Sequence, residues 1–105
     1  MQEAKEALKE LHRALAGLYG RRLKKAILYG SRARGDAVVG SDIDVLLVLD
    51  EVDDPIGERK RLSGIISDIC LRHGVVLSVV PTSEHLFETS RRPLFLNVKR
   101  EGVEL

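Results

Sequence analysis

The 105-residue chain is about one domain long, which excludes an enzyme with separate substrate and cofactor domains. Apolar residues make up 44% of it and sustain one modest core. With two Tyr, two Phe and no Trp, that core is aliphatic and leaves no set of exposed rings on which bases stack. The formal charge of +1 conceals a segregation: residues 1–36 hold nine Lys/Arg against four Asp/Glu, residues 37–58 hold seven acids and no base, and residues 59–105 hold eight bases against five acids.

In chain order, residues 2–18 set Ala4, Ala7, Leu8, Leu11, Ala14, Leu15 and Leu18 at the three-and-four spacing of an amphipathic helix. Gly20 and the basic stretch Arg21 to Lys25 close it, and Ala26 to Tyr29 reads as a short buried strand stopped by Gly30. After a loop from Gly35 to Ser41, the near-continuous apolar run Ile43 to Leu49 suits a central strand covered on both faces. Asp54 as N-cap and Pro55 at the first helical position start a helix that runs to His73 and stops at Gly74, with Leu62, Ile65, Ile66, Ile69 and Cys70 on one face. Val75 to Val80 is a third strand ended by Pro81. Ser83 caps a short helix, and Pro93 starts another that ends at Gly102. This order predicts a single domain over residues 1–105 of the α+β class, an α/β sandwich in which helices pack against a small mixed β-sheet.

The longest uninterrupted apolar run, Val45 to Leu49, is far short of the ~20 residues needed to span a bilayer, and the first ten residues hold no apolar run of a secretory leader. One cysteine, Cys70, forms no intrachain disulfide and reads as core packing. A cytoplasmic protein is expected. His12, His73 and His85 have no ligand spacing to one another or to Cys70.

Chemistry concentrates in residues 29–44. Glycine at a strand end lets an anion approach the backbone, and if Ser31 begins a helical turn, its hydroxyl and the unpaired N–H groups hold phosphate oxygens. Residues two apart in a strand share a face, so Asp42 and Asp44 present two carboxylates side by side while Ile43 enters the core. Paired carboxylates suit Mg²⁺, which completes its shell with water and substrate phosphates. Taken singly, Gly30-Ser31 is equally an ordinary turn, the aspartates a loop acid and a paired strand acid, and Arg32 and Arg34 solvated charges. Together they are a physical recipe for binding a nucleoside triphosphate with its metal.

Gly30-Ser31, ten intervening residues, then Asp42-Ile43-Asp44 resembles the signature of nucleotidyltransferases of the DNA polymerase β superfamily. Residues 29–49, YGSRARGDAVVGSDIDVLLVL, are similar to its minimal single-domain prokaryotic members. The resemblance implies a polymerase β-like palm fold and Mg²⁺-dependent transfer of a nucleotidyl group, AMP from ATP, to an acceptor hydroxyl. Gly30 and Ser31 would hold the β- and γ-phosphates, Asp42 and Asp44 would bind the metal and carry catalysis, and Arg32 or Arg34 would stabilise charge on the departing pyrophosphate. It further implies a small helical HEPN-domain toxin as partner, and a dimer or a second protein to complete a nucleotide site this short. The basic groups Arg21 to Lys25, Arg91-Arg92 and Lys99-Arg100 leave a nucleic-acid partner open. The pattern departs from the family at one place. The strand expected to carry a third acid has none, and Ser78 is its only polar residue, so the alternative is a catalytically impaired nucleotide-binding antitoxin. Glu84 lies beyond that strand and reads as an exposed acid in the next helix.

Overall fold

The computed structural model describes residues 2–35, 37, 40 and 42–105. Helix α1 (Gln2–Tyr19) is followed by a short 3₁₀ turn (Gly20–Arg22), strand β1 (Leu23–Tyr29) and helix α2 (Ser31–Arg34). Then come β2 (Ile43–Leu49), α3 (Pro55–His73), β3 (Leu77–Ser83), α4 (Glu84–Thr89), α5 (Pro93–Glu101) and β4 (Val103–Glu104). Among the described residues these strands form one sheet in the order β3-β2-β1-β4, with β2 parallel to β3 and β1 antiparallel to both β2 and β4. The expected mixed sheet with packed helices is present.

The period of two along β2 divides the core. Ile43, Val45, Leu47 and Leu49 join α1 and α3 on one face through Leu11, Leu15, Leu62 and Ile69. Leu46 and Val48 join Phe87 of α4 and Phe95 and Val98 of α5 on the other. Helix boundaries follow local chemistry: Asp54 accepts a hydrogen bond from the Gly57 N–H, Pro55 opens α3, and Gly74 closes it at φ 64°. Ser83 caps α4 by accepting from the Leu86 N–H. Cys70 packs against the larger core cluster, as expected, and His73 Nε2 lies 2.8 Å from Glu10 Oε1, joining α3 to α1.

Four details differ from the expectations. Strand β1 starts at Leu23: of the basic stretch that was to close α1, Arg21 and Arg22 lie in the 3₁₀ turn, while Lys24 and Lys25 are exposed in the strand. Strand β3 starts at Leu77 instead of Val75 and runs through Pro81 to Ser83 instead of ending at the proline; as an edge strand it tolerates a missing N–H on its open side. Leu18, placed on the apolar face of α1, is 38% exposed, while Tyr19 is buried in its stead. Two-residue β4 is too short to show a period. The loop expected at residues 35–41 falls largely outside the described residues. No helix among the described residues is long and apolar enough to cross a membrane.

Candidate active site

At the end of β1 the chain bends at Gly30 with φ 77° and ψ −155°, a backbone region nearly closed to residues with a Cβ. A Cβ placed there would lie 2.7 Å from Asp44 Oδ2. The Asp44 carboxylate therefore rests directly against the bend, and strand register is the cause: Tyr29, one residue before the glycine, is the antiparallel partner of Asp44. Ser31 then opens α2, in which the Arg34 N–H donates to the Gly30 carbonyl at 3.1 Å and Gly35 ends the turn at φ 81°.

Asp42 and Asp44 continue the Leu46 and Val48 side of β2 past the cover that α4 and α5 provide. Asp44 is half-buried and Asp42 exposed. Burial raises the Asp44 carboxyl above its ordinary range, and the Asp42 charge adds to the rise. Burial and then the Asp44 charge push the Tyr29 hydroxyl up as well. Two close carboxylates without a described counter-ion are donors of the kind a hard divalent cation takes. Among the described residues no three His, Cys, Asp or Glu side chains converge, so such an ion needs substrate oxygens or water to complete its shell.

Ser78 is the in-register parallel partner of Asp44 and is exposed. Val76 precedes it on the same face, 56% exposed, its carbonyl accepting from the Ile43 N–H at 2.8 Å. Among the described residues, Val76 and Ser78 thus form an exposed, uncharged strip beside Asp44. Glu84 begins α4 at the far end of β3, six residues and roughly 20 Å along from Ser78, and does not join the site.

The two arginines of the turn differ. Arg34 Nη1 meets Glu101 Oε1 of α5 at 3.3 Å. Arg32 lines an apolar hollow of about 260 Å³ with Leu8 and Leu28. Sequence reading gave no signal for Glu101, whose contact closes over 67 positions. The acids after β2 belong elsewhere. Asp50 accepts from Arg22 Nε at 3.1 Å and from the Glu51 N–H at 2.7 Å, and buried Glu58 accepts from the Tyr19 hydroxyl at 2.6 Å. They border a polar hollow of about 410 Å³ at the opposite end of β2.

Residues 1–94 match the family model of the nucleotidyltransferase domain. A protein of Methanocaldococcus jannaschii named "Putative protein adenylyltransferase MJ0604" is 40% identical over 103 residues, 97% of this chain and 96% of its own. A second from that organism, "Putative protein adenylyltransferase MJ0141", is 28% identical over 95% of this chain and 96% of its own. Among solved structures, a toxin-antitoxin complex with AMP-PNP superposes with TM-score 0.65 at 19% identity, over 91% of this chain and 69% of that one. A nucleotidyltransferase-like structure from Sulfolobus solfataricus gives TM-score 0.60 at 21% identity, over 98% of this chain and 76% of that one. These structures share the fold. With Asp44 against the Gly30 bend and the family model matching residues 1–94, this chain belongs to the nucleotidyltransferase domain family.

Proposed function

We propose that this protein is a Mg²⁺-dependent adenylyltransferase that moves AMP from ATP to a hydroxyl on a partner protein. The observation that carries the reading is the contact of the Asp44 carboxylate with the Gly30 bend, which puts cation donors beside an approachable backbone. The bend and the Ser31 hydroxyl hold the β- and γ-phosphates, and the first N–H groups of α2, which lack intrahelical partners, add donors. Asp42 and Asp44 hold the metal, which supplies charge neutralisation on the attacking and leaving oxygens when bound. The acceptor oxygen bonds to the α-phosphorus, the bond to the bridging oxygen breaks, and pyrophosphate leaves as the hydroxyl proton passes to solvent. Arg32 lies on the same turn to meet the departing charge.

A protein acceptor is supported by the relatives named as protein adenylyltransferases. The likeness to a toxin-antitoxin structure holding AMP-PNP supports ATP as donor and a toxin, of the HEPN class implied by the sequence resemblance, as acceptor. That partner, or a second copy of this chain, completes the base and acceptor surfaces beside the open Val76 and Ser78 face.

The test combines Mg²⁺-dependent ATP binding by calorimetry with transfer of labelled AMP to the partner. Both are expected in the wild type and lost in Asp42→Asn and Asp44→Asn; label transfer undiminished in those variants overturns the reading. A second reading rests on Ser78 standing where a third acid is expected: a nucleotide-binding antitoxin without turnover. It predicts Mg-nucleotide binding and neutralisation of the partner with no covalent AMP.

A further inference from the structure

Glu101 and Arg34, the last residues of two helices far apart in sequence, form an ion pair at the edge of the phosphate-binding turn. Helix α2 has four residues and buries none of them. A single helical turn is not stable by itself, so its geometry depends on tertiary tethers. Glu101 is well placed to be one. The Gly102 N–H donates to the Val98 carbonyl at 2.8 Å, and a Cβ at Gly102 would lie 2.5 Å from Ile27 Cγ2, so α5 ends hard against β1. Val103 and Glu104 then pair with Leu28 and Ile27. β1 thus carries both the Gly30 bend and the anchor of Glu101, and the ion pair closes a ring through β1, α2, α5 and β4. In the strand order β3-β2-β1-β4, Arg34 meets a residue leading into β4, across β1 from the aspartates on β2.

We propose that Glu101 is a positioning residue for the nucleotide site, acting through Arg34, and that Arg34 tethers the phosphate-binding turn instead of contacting phosphate. The inference rests on the nucleotide reading above. The two roles of Arg34 predict opposite signs for Glu101. If Arg34 binds phosphate, Glu101 competes for its guanidinium and removing the acid tightens nucleotide binding. If Arg34 is a tether, losing either partner weakens binding, and losing both is no worse than losing one.

The experiment measures Mg-AMP-PNP binding by calorimetry on the whole chain for Glu101→Gln, Arg34→Gln and the double variant, with thermal midpoints and amide hydrogen exchange of residues 31–35 in the free protein. Each single variant is expected to weaken binding about twofold to fivefold, the upper part of what a partly exposed ion pair contributes. The double variant should match the singles, midpoints should barely move, and the Arg34 and Gly35 amides should exchange faster. The swapped pair, Arg34→Glu with Glu101→Arg, should recover most of the affinity. Tighter or unchanged binding in Glu101→Gln, or additive losses, overturns the tether. If the wild type binds no Mg-nucleotide, or binds it no better than Asp44→Asn, the functional reading fails. Exchange in Glu101→Gln then still decides the tether, and unchanged Arg34 and Gly35 amides overturn it.

Discussion

Ser78 stands beside Asp44 as its parallel in-register neighbour, so the position best placed for a third carboxylate beside Asp42 and Asp44 holds a neutral hydroxyl. Ser78→Asp adds that carboxylate to the open face. Like charges on neighbouring strands repel by about 0.2–1 kcal/mol, so the variant should melt lower than wild type without divalent ions and recover when Mg²⁺ is added. Mg²⁺ affinity and label transfer should both rise. Equal melting shifts with and without Mg²⁺ would show that residue 78 does not reach the ion.

Gly30→Ala sets a Cβ 2.7 Å from Asp44 Oδ2 at a positive φ. The strain should cost about 1–3 kcal/mol in denaturant unfolding, and relieving it moves the bend off the carboxylate. Nucleotide binding should fall with stability. Binding retained at wild-type strength would mean that the bend and Asp44 do not act together.

Tyr19→Phe probes the opposite end of β2. The Tyr19 hydroxyl donates to buried Glu58, which retains Arg22 at 3.6 Å and Arg61 at 3.8 Å. Burial, followed by the bond to Glu58, drives that hydroxyl well above its ordinary range. Removing it should cost about 1–2 kcal/mol of stability, because a buried carboxylate loses a donor. Mg-nucleotide binding should be unchanged, which makes the variant a control for stability effects at the active site.

Asp50 supplies a pH-dependent contrast. Its carboxyl is held below the ordinary value of 3.8, first by the Glu51 N–H and then by the Arg22 guanidinium. A folded-state value below the unfolded one means that the unfolded chain binds more protons between the two, so stability rises with pH across that window. The contribution is complete above the unfolded value and disappears as pH falls through the folded one. Asp50→Asn should therefore melt below wild type at pH 7, with the difference shrinking to nothing in strong acid. A constant difference across pH would assign the loss to packing.

Much of this protein is legible one segment at a time. The ends of α3, α4 and α5 follow from Asp54, Ser83, Pro55, Pro93 and Gly74, because capping and proline geometry act within a few residues. The side of β2 that carries Asp44 follows from strand alternation, and Gly30-Ser31 followed at fixed spacing by Asp42-Ile43-Asp44 resembles the nucleotidyltransferase signature.

What the tertiary structure alone decided are the relationships between segments. Sheet position determined that Pro81 lies within an edge strand, and register set Ser78 beside Asp44 and Tyr29 opposite it. Docking of α5 brought Glu101 to Arg34, and burial of Tyr19 let its hydroxyl reach Glu58. Local preference acts through neighbouring backbone torsions, whereas these contacts arise from hydrophobic faces closing over distances along the chain that no short window of sequence encodes.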